Sequence, residues 1–225
     1  MANDTVEEGK RLHGWEDTVT EVLEAGEANR AFIVHGWNGR TDEGWFPWLK
    51  AQLTARGFAV SIPPMPNPER PAITEWVRAL SEAVGVPDES TYLVGHSLGC
   101  QAILRYLAEL RGPVKIGGAV LVAGWAFSRK APFSEDEEKE RELMSSWLNT
   151  PIDWLAAVSH CNGFAGILSD DDPFVPFEET RDVLRKNLGA EIIVEQGRGH
   201  LSEENRVFEL QSVLDTVLKM AGMRI

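Results

Sequence analysis

The chain is poor in cysteine, poor in positive charge and lacks any long apolar run. Its 225 residues include two cysteines, Cys100 and Cys161, which lie far apart and outside any C-x-x-C or Cys/His spacing. That excludes a disulfide scaffold and gives no zinc signature; two reduced thiols of a cytoplasmic protein are expected. No run approaches the ~20 apolar residues of a membrane span. The first residues, MANDTVEEGKRLHGWEDT, are polar and acidic and do not resemble a secretory leader. Lys and Arg number 22 against 35 Asp and Glu, for a net charge of −13 and a pI near 4.9. A balance of that sign disfavours nucleic acid and anionic membrane as partners.

The acidity is local. Residues 1–30 carry 3 basic and 8 acidic side chains, residues 133–142 carry 2 and 6, and residues 170–182 carry 1 and 6. The remainder is nearly balanced. Composition is otherwise ordinary, 43% hydrophobic and 25% charged, which argues against disorder. A chain this long buries roughly 70% of its extended surface as one domain and needs no covalent staple. The expected division is an acidic N-terminal extension, residues 1–30, followed by one domain, residues 31–225.

From residue 31, short apolar runs alternate with helix-period segments. Strands are read at 31–34, 58–62, 91–94, 118–123, 163–168 and 191–194. Helical faces lie between them, such as Ile73, Trp76, Val77, Leu80 and Val84. A last helix is read through Val207, Leu210, Leu214 and Val217, with Ser202 as its start. Residues 125–160 break the rhythm and read as a small cap insertion. Continuously apolar strands separated by helices indicate an α/β fold, a doubly wound, mostly parallel six-stranded sheet with helices on both faces. Ligands of such sheets sit beyond the carboxyl ends of the strands.

Four such ends carry chemistry. Gly95-His96-Ser97-Leu98-Gly99 follows the third strand and precedes a helix. This is G-x-S-x-G in a strand–turn–helix setting, where a strained turn lifts a serine nucleophile above the sheet. The Leu98 N–H, at the helix start, is a candidate oxyanion donor. Ser169-Asp170-Asp171-Asp172-Pro173-Phe174 follows the fifth strand, and Gly197-Arg198-Gly199-His200 the sixth. The order Ser, Asp, His is that of an α/β-hydrolase, with His200 as base and an aspartate on its Nδ1. Asp172 is preferred because Pro173 holds it extended; Asp171 is the alternative. The second oxyanion donor is expected in His35-Gly36-Trp37-Asn38-Gly39, from the Trp37 N–H or the Gly36 N–H. His35, Gly36, His96, Trp125 and Phe174 are candidate pocket residues.

These segments, with Gly44-Trp45-Phe46-Pro47-Trp48-Leu49 and Pro151-Ile-Asp-Trp154, resemble the retinoblastoma-binding protein 9 (YdeN-like) family of serine hydrolases over about residues 31–220. The resemblance implies a small α/β-hydrolase fold, with Ser97 as nucleophile, Asp172 as acid and His200 as base. The Leu-x-Cys-x-Glu pocket-protein motif is absent, so the family name transfers no partner. Expected is a cytoplasmic serine hydrolase acting on an ester or amide of a small molecule. It calls for no metal or cofactor, and its state is open between monomer and homodimer. The rival readings are a non-catalytic interaction protein of the same fold and an acyltransferase.

Overall fold

A computed structural model describes residues 28–124 and 145–224 of the chain, without the side chain of Leu148. Its elements run β1 (Arg30–Val34), α1 (Phe46–Thr54), β2 (Ala59–Ser61), α2 (Ile73–Val84), β3 (Thr91–His96), α3 (Leu98–Glu109) and β4 (Gly118–Val122). They continue through α4 (Ser145–Asn149), α5 (Trp154–Ser159), β5 (Phe164–Ser169), α6 (Phe177–Leu188), β6 (Glu191–Glu195) and α7 (Gln211–Met220). The six strands form one sheet in the order β2-β1-β3-β4-β5-β6, and every pairing is parallel.

Alternation along the strands sets the layers. Phe32, Leu93, Leu121 and Leu168 point to one face, where Trp76 and Leu80 of α2, Ile103 and Leu107 of α3, and Leu184 of α6 cover them. Ile33, Val94, Val120 and Ile167 point to the other, against Leu49 and Leu53 of α1 and Val213 and Val217 of α7. Both faces are buried, which is why the strands read as unbroken apolar runs.

Register then positions the site. Val34 pairs with Gly95, His96 with Val122, Val122 with Ile167, and Ser169 with Glu195. The strands thus finish nearly level, and their following loops crowd one edge. The chain runs from β1 outward to β2, then back past β1 to β3. The crevice between the ends of β1 and β3 is therefore the switch point where a ligand is expected.

One expectation changes. The last helix starts at Gln211, not at Ser202. Arg206 takes a positive φ of 59°, Val207 N–H turns back to Ser202 O at 3.1 Å, and Ser202 Oγ is spent on Asn205 Oδ1 at 2.9 Å. Those bonds close a tight turn instead of a first helical turn. Of the expected cap, residues 125–144 lie outside the described residues, as does the N-terminal extension through residue 27. Residues 145–159 form two short helices docked on the core. Trp147 is buried and its indole N–H donates to Pro71 O at 2.7 Å. Arg105 of α3 donates to the carbonyls of Trp147, Thr150 and Pro151. Asp153 caps α5 by accepting from Ala156 N–H at 3.0 Å.

Candidate active site

Ser97 is the single residue between β3 and α3, with φ 52° and ψ −118°. A side-chain-bearing residue held there costs about 1–3 kcal/mol. Ser97 N–H donates to Val122 O at 2.9 Å, and Ser97 O accepts from Cys100 N–H at 3.1 Å. The flanking glycines have steric reasons. A Cβ on Gly95 would lie 2.8 Å from Cys100 N. One on Gly99 would run into Val34 O and come within 2.7 Å of His35 O. Helix α3 can therefore start directly against the end of β1. Among the described residues the Leu98 N–H, at that helix start, has no hydrogen-bond partner.

The loop after β1 meets the serine. A Cβ on Gly36 would sit 3.0 Å from Ser97 Cβ. The Gly36 carbonyl accepts from His35 Nδ1–H at 2.9 Å and from Gly39 N–H at 3.1 Å. Carbonyl and amide of one trans peptide point in opposite directions. Pinning the Gly36 carbonyl on one side therefore aims the Trp37 N–H to the other. That N–H also has no partner among the described residues. Met65 N–H donates to His35 Nε2 at 3.1 Å, so the hydrogen-bond network assigns the His35 proton to Nδ1. Burial lowers the His35 pKa and keeps the ring neutral. The Trp37 indole N–H donates to Glu69 O at 3.1 Å, which turns the ring toward the proline-rich loop after β2.

The loops after β5 and β6 meet through Asp172 and His200. Asp172 Oδ2 lies 2.9 Å from His200 Nδ1, and the Asp172 side chain is 2% exposed. Its other oxygen accepts from Phe174 N–H at 2.9 Å and Val175 N–H at 3.0 Å. A buried carboxylate with every oxygen bonded can hold an imidazole in one tautomer. Asp171, the alternative acid, is turned instead to Ser169 Oγ and Gly199 N–H. No hydrogen bond joins Ser97 Oγ to His200 among the described residues; such contacts often tighten only when substrate binds.

His96 packs behind the imidazole, ring centroids 5.0 Å apart, and its Nε2–H donates to His200 O at 2.9 Å. Burial, and secondarily the neighbouring His200, lower its pKa to about 3. His96 and His35 are both buried and spend their nitrogens on backbone groups. They stand behind the wall of the site, unlike the pocket-lining role expected from the sequence. Phe174 is half exposed and meets the His200 ring edge-on at 5.1 Å. Trp125 lies outside the described residues. Sequence reasoning missed Asn205, whose Oδ1 accepts from His200 N–H at 2.9 Å; a loop asparagine five residues past the histidine carries no signal. Among the described residues no cluster of three or more His, Cys, Asp or Glu is arranged to hold a metal ion.

The family model described as Serine hydrolase matches residues 31–218. The chain belongs to the serine hydrolase family. This hydrolase is 34% identical to the YdeN protein of Bacillus subtilis over 188 residues, 84% of this chain and 94% of that one. The crystal structure of the ydeN gene product superposes with a TM-score of 0.77 at 32% identity, covering 86% and 99% of the two chains. The serine hydrolase RBBP9 of Rattus norvegicus is 29% identical over 196 residues, 85% of this chain and 97% of that one. The resemblance drawn from the motifs thus holds, and the chain is an enzyme of the hydrolase class.

Proposed function

We propose that the hydrolase cleaves an ester or amide bond of a small substrate through an acyl-enzyme on Ser97. The observation that carries this reading is the 2.9 Å bond between the buried Asp172 carboxylate and His200 Nδ1, at the same sheet edge as the strained Ser97. His200 Nε2 takes the Ser97 proton as Oγ attacks the carbonyl carbon. The carbonyl π pair moves to oxygen, facing the N–H groups of Leu98 and Trp37. Collapse expels the alcohol or amine, which takes the proton from His200. Water then enters by the same path, His200 takes its proton, and the acid leaves as Oγ is reprotonated. Neither metal nor cofactor enters this scheme.

Phe174, half exposed against the His200 ring, supplies apolar surface beside the base, which favours an apolar acyl group. Asp170 and Asp171, exposed on the acid loop, disfavour an anionic one. Buried free thiols at Cys100 and Cys161 suit a reducing, cytoplasmic setting. The test is labelling by a fluorophosphonate together with turnover of p-nitrophenyl esters of graded acyl length and charge. Wild type is expected to label and turn over, while Ser97→Ala loses labelling and about 10⁴–10⁶-fold in kcat. Equal labelling of both proteins would make a different residue the nucleophile, and no labelling or turnover by wild type would leave a non-catalytic protein as the better reading.

A further inference from the structure

The segment that carries His200 is unusual in how its backbone is held. Gly197, Gly199 and Leu201 all have positive φ, at 64°, 55° and 52°. A backbone turning this often forms no regular ladder, yet none of its four amides from Gly197 to His200 is left free. Gly197 N–H donates to Asp170 Oδ1 at 2.8 Å, and Arg198 N–H to Ser169 Oγ at 3.0 Å. Gly199 N–H donates to Asp171 Oδ1 at 2.8 Å, and His200 N–H to Asn205 Oδ1 at 2.9 Å. All four acceptors are side chains, and three come from consecutive residues, the last of β5 and the first two of the loop after it.

Asp171 is the hinge of this cradle. Its Oδ1 accepts both the Gly199 N–H and the hydroxyl of Ser169, the latter at 2.7 Å. Ser169 is buried. Its one proton goes to Asp171 and a lone pair receives Arg198 N–H, so it relays between the two loops. Bonds to a carboxylate are short and about twice as strong as neutral ones. These same bonds, that from Ser169 first, hold the Asp171 carboxyl below the usual carboxylate range. Gly199 immediately precedes His200, so the Asp171 bond fixes the peptide from which the imidazole hangs.

We infer that Asp171, acting through Gly199 N–H and the Ser169 relay, is a positioning residue that sets the direction of the His200 imidazole. This rests on the reading of His200 as the base. Asp171 touches no reacting atom; its effect passes through the loop backbone. A misplacement of ~1 Å in a reacting group costs on the order of 100-fold in rate. Asp171→Ala removes both bonds, while Asp171→Asn keeps an Oδ1 acceptor in the same place.

The experiment measures kcat and KM on an activated ester, thermal melting, and the low-field proton resonance of His200 Nδ1–H in the full-length protein. Asp171→Ala is expected to lower kcat about 10–100-fold, to leave KM nearly unchanged and to broaden or lose the resonance. Asp171→Asn is expected to recover most of the rate and the signal. If Asp171→Ala fails to fold, Ser169→Ala supplies the test by removing the relay alone; it should lower kcat with KM held and broaden the same resonance. In the double variant with Asp171→Asn, the losses should be smaller than their product, because the two side chains share one network. Wild-type kcat with an intact resonance in Asp171→Ala, or in Ser169→Ala where that variant stands in, would overturn the inference. So would a loss in KM alone. Failure of the reading beneath it looks different: His200→Ala would then retain wild-type turnover.

Discussion

Substituting alanine for Gly36 separates the geometry of the oxyanion loop from the stability of the fold. Gly36 has no positive φ, so alanine brings no backbone strain there. The whole effect is the new methyl, which would lie 3.0 Å from Ser97 Cβ, 3.4 Å from His96 O and 3.5 Å from His96 Nδ1. Carbon atoms rest at about 3.5–4.0 Å, so the contact with Ser97 is short by ~0.5 Å or more. Neither Ser97 nor His96 gives way easily. Ser97 is locked in the elbow, and His96 is clamped to His200 O. The loop with Trp37 must retreat. Overpacking of this kind costs about 1–3 kcal/mol, and for a chain of this size that lowers Tm by roughly 2–12 °C. The larger effect falls on the Trp37 N–H. Losing one oxyanion donor costs about 10²–10³-fold in kcat, and a donor displaced by half an ångström should lose part of that, ~10–100-fold. The assay is steady-state turnover of a p-nitrophenyl ester, paired with inhibition by a trifluoromethyl ketone that mimics the tetrahedral adduct. kcat and inhibitor affinity should fall together with KM nearly constant. An unchanged kcat, or a change in KM alone, would refute the placement of the oxyanion donor on this loop.

Gly99→Ala aims at the fold instead. Its methyl would meet two backbone carbonyls that cannot rotate away, so a loss near the upper end of overpacking, ~3 kcal/mol, is expected in a urea melt; a loss under ~0.5 kcal/mol would contradict the seating of α3 on β1. Acid should weaken the hydrolase through its buried histidines. His96 is held to about 3 against an ordinary value near 6.5, and His35 is lowered too. The His96 contribution is complete above the unfolded value and drains away as pH falls from ~6.5 toward 3, at about 1.4 kcal/mol per pH unit, and that of His35 is lost in the same direction. Urea titrations at pH 7.5, 6 and 5 should show that slope, and His96→Phe should reduce it. A flat profile, or an equal slope in the variant, would count against a buried neutral His96.

Much of this was legible because one physical cause wrote it twice. The β3 turn needs small residues where Cys100 N and Val34 O crowd in, so Gly95 and Gly99 announce the elbow in the sequence and in the structure. Strands covered on both faces must be apolar throughout, and the alternating helical periods gave the parallel order. What the sequence concealed depends on long-range partners. Pro173 singles out Asp172 among three consecutive aspartates, but that Asp170 and Asp171 take the Gly197 and Gly199 amides depends on how the loops after β5 and β6 meet. Ser202 looked like a helix cap, yet Asn205 diverts it. His35 and His96 read from the sequence as either packed rings or pocket walls, and the structure shows both rings buried and engaged by Met65 N–H and His200 O.

The sheet order carries a consequence for how the hydrolase fails. His200 hangs from β6, the outermost strand, whose Val194 is 44% exposed, whereas Ser97 rises from β3, deep in the sheet. Outer elements open at lower free energy than the centre in native proteins. Denaturant should therefore peel the base away from the nucleophile while the interior still exchanges its amides slowly. Activity would vanish ahead of the bulk circular dichroism signal, and dilution would restore it quickly, because only a margin of the molecule has to close again.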